Sequence, residues 1–513
     1  MSRKILFIAF VVSLGGFLFG FDAGIISGVM SYAGPEFDLN DIQSGWVVSS
    51  PSFAAMIAML VSGRLSDKIG RKKILIFVAF GYALSALLSA YANSYEMLYM
   101  ARMLGGIAFG AALILAPTYI AEISTAENRG KLVSIQQLNI VLGFFAAFLS
   151  NYYFNELNHT ETATFLTDEN VWRFMLGVEL IPALLYFIFM FFVPRSPRWL
   201  YSKGEIQEAK DILNRIHGET KANFEIDSIE KSISEERNQE KVAISDLLKK
   251  SLRFILIVGL VLGVLQQITG INAVYFYATS IFKQTGIGTD ASFSSGVLLS
   301  FTTVIFTLLA IFTIDKMGRR PLLLLGMAGI AISLLICSYG FHEATYELTT
   351  EEIAQLEGMD PGLFKGVENV RYDNDLDFKN AMKQALGSQQ YAKNEGAVLE
   401  AATDMNATLV LIGILGFIAS FAFSLGPVMW VMLSELYPNK YRGLAIGVIG
   451  FVNSFVSWLV QQIFPWELSN LGNALSFFIF GAIAVIGFFV LFKLLPETKG
   501  KSLEQIESEL VKD

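Results

Sequence analysis

The sequence predicts an all-α integral membrane protein: twelve transmembrane helices arranged as two pseudo-symmetric six-helix bundles. Three observations predict it. The 513 residues are 53% hydrophobic and only 16% charged, with a mean hydropathy of +0.51, which argues against a water-soluble fold. Twelve apolar runs of roughly the 20 residues needed to cross a bilayer core alternate with polar loops. Two phrases also recur in the same order, so the chain reads as two copies of one membrane unit.

The first bundle, residues 1–193, contains the apolar runs 5–30, 42–62, 74–92, 95–120, 132–152 and 171–193. Run 5–30 is too long for a secretory leader and has no small-residue cleavage site after it, so it is read as helix 1. Residues 194–250 are rich in Glu and Lys with a helical pattern, and form a linker. The second bundle, 251–495, contains 254–282, 292–314, 321–341, 407–433, 444–464 and 472–495, followed by a tail at 496–513. Lys and Arg crowd alternate loops: Arg64 to Lys73, Arg129 and Lys131, Arg195 to Lys250, Lys316 to Arg320, Lys440 and Arg442. The loop 31–41 carries Glu36, Asp38 and Asp41 but no Lys or Arg. By the positive-inside rule both termini, the linker and the tail are cytoplasmic, in a multi-pass protein of the cell (plasma or inner) membrane. The net charge of −8 follows this topology and points to no nucleic acid.

The first repeated phrase is Asp67-Lys68-Ile69-Gly70-Arg71-Lys72-Lys73, echoed by Asp315-Lys316-Met317-Gly318-Arg319-Arg320. The second places Arg129-Gly130 seven residues after Glu122, and Arg442-Gly443 seven after Glu435. Repeats of this kind build transporters that alternate access around a midplane site. The spacing also exposes an insertion. Asp67 and Glu122 are 55 residues apart but Asp315 and Glu435 are 120, and the polar stretch 342–405 supplies the excess. It holds 13 acidic and 5 basic residues. Helical patches at 350–356 and 376–385 favour a small, partly helical cap on the outer face; a disordered acidic loop is the alternative.

These phrases resemble the loop signatures of the major facilitator superfamily, and further strings narrow the resemblance to its sugar porter branch. Pro194-Arg195-Ser196-Pro197-Arg198-Trp199-Leu200 follows helix 6, and Pro496-Glu497-Thr498-Lys499-Gly500 follows helix 12. Gln266-Gln267-Ile268-Thr269-Gly270-Ile271-Asn272 lies in helix 7, and Gly426-Pro427-Val428-Met429-Trp430 in helix 10. The resemblance spans the whole chain except 342–405. It implies the major facilitator fold and import of a monosaccharide (a pentose, hexose or related polyol) by proton symport with alternating access. A facilitative uniporter is the alternative. A non-transporting sugar sensor is a further one, against which the short tail argues.

A charge within a membrane segment is costly and normally pairs or faces water. Asp22 in helix 1, Arg102 in helix 4 and Glu179 in helix 6 are such charges. A lone Arg between two acids makes a switch: protonating Asp22 releases Arg102 to Glu179, and the resemblance implies that these positions couple the proton. A static ion network is the alternative. One proton crossing about 100 mV supplies roughly 2.3 kcal/mol, enough for about fifty-fold accumulation of a neutral solute.

A sugar needs neutral donors and acceptors plus an aromatic face. Gln137, Gln266, Gln267, Asn272 and Asn453 offer the amides and Trp430 the wall. Gln266 and Gln267 point about 100° apart on a helix, so one of them is expected to face a given hydroxyl. Gly270 and Pro427 are expected to loosen helices 7 and 10 there. Against the family pattern, Thr303 stands where Asn is usual, Asn453-Ser454 where Asn-Trp is, and Phe276-Tyr277 where Tyr-Tyr is. Phe144 replaces a second Gln of some proton-coupled members, Arg195 replaces a Glu, and Trp458 is available to stand in for the missing Trp.

The loop charges Asp67, Arg71, Glu122 and Arg129, with Asp315, Arg319, Glu435 and Arg442, are expected to act as cytoplasmic latches, each exposed pair worth about 0–1 kcal/mol. Binding of anionic lipid is the competing role for the basic loops. The single cysteine, Cys337, excludes a disulfide framework, and no phosphate-binding loop G-x-x-x-x-G-K-[ST] is present. His159, His217 and His342 form no pair, so neither a metal site nor an enzyme is expected. The expected partners are a monosaccharide, protons and membrane lipids. The chain is expected to work as a monomer with no cofactor, the proton gradient being its energy source.

Overall fold

A computed structural model describes residues 3–125, 127–160, 164–238, 243–356, 358–501 and 505. Most of the tail, 502–504 and 506–513, thus lies outside the described residues, as do 239–242 of the linker and 357 of the insertion. Twelve described helices are long and apolar enough to cross a membrane. They are α1 (Arg3–Glu36), α2 (Asp41–Ile69), α3 (Arg71–Ala90), α4 (Tyr95–Ile123), α5 (Arg129–Asn158) and α6 (Val171–Met190), then α7 (Lys250–Phe276), α8 (Thr289–Met317), α9 (Arg319–His342), α10 (Ala407–Leu436), α11 (Lys440–Asn470) and α12 (Gly472–Leu494). Each overlaps one predicted run; α3, α6, α7 and α12 stop short of its C-terminal end, and the others run past it.

The repeated basic phrase has a backbone reason. Gly70 ends α2 and starts α3 with φ 105°, and Gly318 does the same between α8 and α9 with φ 95°. Both conformations favour glycine. Three spans are interrupted. α6 breaks at Val178-Glu179, between Gly177 and Leu180. α7 breaks at Gly270, whose φ is 88°, and a short segment, Ala278–Lys283, follows it. α10 breaks at Ser424 (φ −129°, ψ −92°). Pro427 accounts for the last break, since it offers no N–H to the carbonyl of Phe423, the residue where the first piece ends.

The chain divides into two compact units. One comprises the described residues up to Ile25, Ser50–Ala147 and those from Arg173 to Asn238. In it α3 packs on α4 and on the second piece of α6, around Leu75, Tyr82, Phe109, Leu115 and Tyr186. The linker helices Pro197–Ser202, Ile206–His217 and Glu219–Asn238 fold onto the same unit. Trp199 Nε1 donates to the Asp67 carbonyl at 3.0 Å, and His217 Nε2 bonds the Ile123 carbonyl at 2.8 Å.

The other unit comprises Ile26–Ser49, Phe148–Trp172 and the described residues from Ala243 onward. Here α9 packs against α12 and the first piece of α10. Cys337 is buried as a free thiol.

The insertion is folded, which overturns the disordered alternative. Strands β1 (Thr345–Tyr346) and β2 (Thr403–Asp404) pair antiparallel and tie its two ends together. Helices Thr350–Gln355, Asp375–Leu386 and Ser388–Ala402 enclose a core of Tyr346, Leu348, Phe364, Phe378, Met382, Tyr391 and Leu399. The composition is acidic overall, yet apolar residues at helical spacing supply this core.

The subdomain is anchored at the start of α12. Asp375 Oδ2 accepts from Asn473 N (3.2 Å) and Nδ2 (2.8 Å), and from Lys379 Nζ (3.0 Å), with both charges nearly buried. Asp375→Ala removes one partner of a buried pair and is expected to cost about 3–5 kcal/mol. Limited proteolysis within 342–405 should accelerate sharply; unchanged resistance would remove the anchor from this account.

Candidate functional site

Three intramembrane charges meet within the first unit. Arg102 NH1 lies 3.2 Å from Asp22 Oδ1, and NH2 donates to Oδ2 at 3.5 Å. Arg102 is 2% exposed, Asp22 6% and Glu179 4%. Glu179 stands within electrostatic reach of both and sits on the break in α6. Arg102 is thus paired with Asp22, with Glu179 beside them. A guanidinium so enclosed must keep a carboxylate partner, so neutralising Asp22 leaves Glu179 as the neighbouring acid.

Four of the predicted amides form one network in the second unit. Asn453 Nδ2 donates to Gln266 Oε1 at 2.8 Å, and Gln267 Nε2 to Asn453 Oδ1 at 3.3 Å. Asn272 Nδ2 donates to Gln267 Oε1 at 2.8 Å. Gln266 Nε2 donates to the Leu425 carbonyl at 3.1 Å, beside the break in α10. Gln266 and Gln267 both take part in this network. They sit in the last turn of the first piece of α7, where two long side chains reach the same Asn453.

The sequence reading missed two members. Ser457 Oγ accepts from Asn272 Nδ2 (2.6 Å) and from Gln461 Nε2 (2.7 Å). Asn453, Ser457 and Gln461 follow one another at i, i+4 and i+8, a polar stripe visible in the sequence had α11 been read for polar as well as apolar periodicity. Thr303 Oγ1 pairs with Tyr275 Oη at 2.7 Å, so the position that departs from the family pattern is still hydrogen-bonded.

Gln137 and Trp430 differ from these four. Gln137 is exposed on α5, whereas its neighbour Gln136 is buried. Trp430 is 42% exposed and lies against Gly450 of α11. Neither belongs to the amide network.

The repeated loop charges build the same node twice. In the first unit Arg71 pairs with Asp67 (2.7 Å) and Glu122 (3.1 Å), and Ser196 Oγ donates to Glu122 at 2.5 Å. In the second, Arg319 pairs with Asp315 (3.1 Å) and Glu435 (2.8 Å), and Thr498 Oγ1 donates to Glu435 at 2.6 Å. A cavity of about 370 Å³ opens beside the second node. Arg129 is exposed, while Arg442 donates to the Tyr437 carbonyl at 3.1 and 3.2 Å. Arg195, where the family has Glu, pairs with Glu205 and Glu208 of the linker. Among the described residues no group of three or more His, Cys, Asp or Glu is placed to hold a metal.

Comparison with known proteins agrees over the full length. The family model "Sugar (and other) transporter" matches residues 8–356 and 390–510. The arabinose-proton symporter of Bacillus subtilis is 32% identical over 509 residues, covering 99% of this chain and 95% of the relative. The D-xylose-proton symporter of Escherichia coli is 31% identical, covering 99% of this chain and 96% of the relative. A solved structure of the E. coli xylose transporter XylE, in a partially occluded inward open conformation, superposes with a TM-score of 0.74 at 28% identity, covering 98% of this chain and 100% of that one.

Proposed function

The chain belongs to the sugar transporter family, and from that premise we propose that it imports a monosaccharide by proton symport with alternating access. It is a transporter rather than an enzyme, as its relatives are. The observation that carries the coupled reading is the Arg102–Asp22 pair with Glu179 beside it. A uniporter has no need of a buried acid that can release its cation.

On this reading Asp22 takes the proton and Arg102 shifts toward Glu179, which sits on the α6 break and so has backbone freedom to receive it. The sugar, a pentose, hexose or related polyol, exchanges hydrogen bonds with the Gln266, Gln267, Asn272 and Asn453 amides and stacks on Trp430, with Gln137 contributing from α5. The breaks at Gly270 and Ser424 allow α7 and α10 to reshape around it.

The residue 1–193 and 251–495 bundles are the two moving bodies, and the Arg71 and Arg319 nodes are their cytoplasmic latches. Alternate loop charges support cytoplasmic termini, and anionic lipid headgroups are the partners that suit the basic loops. The working unit is a monomer in the cell membrane, with the proton gradient as its energy source.

The test is uptake of labelled pentoses, hexoses and inositol into proteoliposomes with and without an inward proton gradient. Accumulation of one solute above equilibrium only with the gradient is expected. Uptake that equilibrates and ignores the gradient would make the protein a uniporter.

A further inference from the structure

The second unit contains more than the C-terminal helices. The C-terminal ends of α1 and α5 and the N-terminal end of α2 belong to it, alongside α7, α8 and α11. All these ends lie on the face opposite the termini, extracytoplasmic on the topology proposed above. They are joined by side-chain hydrogen bonds that connect helices of the first sequence repeat to helices of the second.

The central bond is made by Asn155 of α5, which is fully buried. Its Oδ1 accepts from Tyr32 Oη of α1 at 2.6 Å, and its Nδ2 donates to Asp290 Oδ1 of α8 at 2.7 Å. Asp290 also pairs with His159 Nδ1 at 3.3 Å. The seam below is apolar and close: an added Cβ on Gly296 of α8 would meet the Phe148 ring at 2.7 Å. A second bond pair ties α1 to the segment after the α7 break. Ser27 Oγ accepts from Thr279 N at 2.9 Å and lies 3.0 Å from Thr279 Oγ1. A third ties α2 to α11: Ser49 Oγ donates to Gln462 Oε1 at 2.8 Å, and Ser469 Oγ to Asp41 Oδ1 at 2.9 Å.

We propose that Asn155 is a gating residue, the centre of a hydrogen-bonded latch (Tyr32–Asn155–Asp290) that holds the extracytoplasmic side closed and must break each time the transporter opens outward. This rests on the alternating-access reading. A buried amide between two helices is stable only while its donors and acceptors are satisfied, so it favours the one packing that satisfies them. Two of the three seams carry a bond to a carboxylate, Asp290 here and Asp41 in the third, and of these two donors Asn155 is the fully buried one. Opening the seam exchanges both bonds for water. The latch therefore sets how much of the protein faces outward without contributing to sugar recognition.

The test measures outward opening directly. Spin labels at Glu156→Cys and Ser294→Cys, both exposed, straddle the α5–α8 seam in a Cys337→Ser background. Asn155→Ala is expected to raise the ratio of long to short label distances about ten-fold. Asp290→Asn, which keeps the shape but removes the charge, should raise it by a smaller factor. Ser338→Ala serves as control, since it loses a bond of similar length (to Ala474, 2.8 Å) within the C-terminal helices and should change nothing. Sugar binding from the cytoplasmic side should remain measurable in every variant, showing that each is folded. Equal distance distributions in wild type, Asn155→Ala and Asp290→Asn would overturn the latch. If wild-type distances also fail to respond to sugar or to a proton gradient, alternating access itself is refuted, and the latch with it.

Discussion

Asp22→Asn is expected to abolish uphill accumulation while leaving sugar exchange intact. In wild type, a potential of about 100 mV can sustain roughly fifty-fold accumulation through one coupled proton. The Asn variant should reach only equilibrium. The reason is local: Arg102, 2% exposed, makes its ion pair with Asp22 at 3.2 Å and has Glu179 as the neighbouring acid. An amide at residue 22 mimics the protonated acid, so the cation is released for good and no proton is needed to proceed. Exchange of labelled for unlabelled sugar needs no proton release and should persist. Arg102→Leu should behave differently, because it strands two buried carboxylates without a cation and should impair exchange as well. Both activities can be measured in the same proteoliposomes. If Asp22→Asn still accumulates sugar against its gradient, the cluster is a static ion network.

The second large effect is expected at Gln267. Its side chain accepts from the half-buried Asn272 and donates to the buried Asn453, so Gln267→Ala leaves each of these amides short of a partner. A sugar hydroxyl that loses the Gln267 amide on binding is left unpaired at about 1–3 kcal/mol, a loss of sugar affinity of roughly five- to 150-fold. Equilibrium binding of the transported sugar to purified protein would read it. The loss should appear without an added proton gradient and with Asp22 intact, separating recognition from coupling. An affinity within two-fold of wild type would place the substrate amides elsewhere.

Much of this was legible in the chain because membrane segments are encoded locally. A run of about 20 apolar residues must be helical in lipid, where every backbone polar group needs an internal partner. Each basic phrase contains a glycine, and the structure gives Gly70 and Gly318 φ values of 105° and 95°. Gly270 and Pro427 marked two of the three interrupted spans. The α6 break at Val178-Glu179 carries markers too, Gly177 just before it and Pro182, which offers no N–H to the Val178 carbonyl, but the sequence reading did not use them. The insertion looked acidic and open to either reading, because its core is assembled from short pieces whose apolar residues are each too few to dominate composition.

By itself the sequence determined the twelve spans, their duplication, and the charges and amides placed within them. The tertiary structure alone decided the pairings. It joined Arg102 to Asp22, brought Gln266 and Gln267 together on Asn453, enlisted Ser457, gave Arg195 to the linker acids and set Asn155 between Tyr32 and Asp290. The physical reason is range. Hydrophobicity and helix geometry act over a few consecutive residues, whereas a hydrogen bond requires two groups within about 3 Å, and only the packing of helices far apart in the chain brings them there.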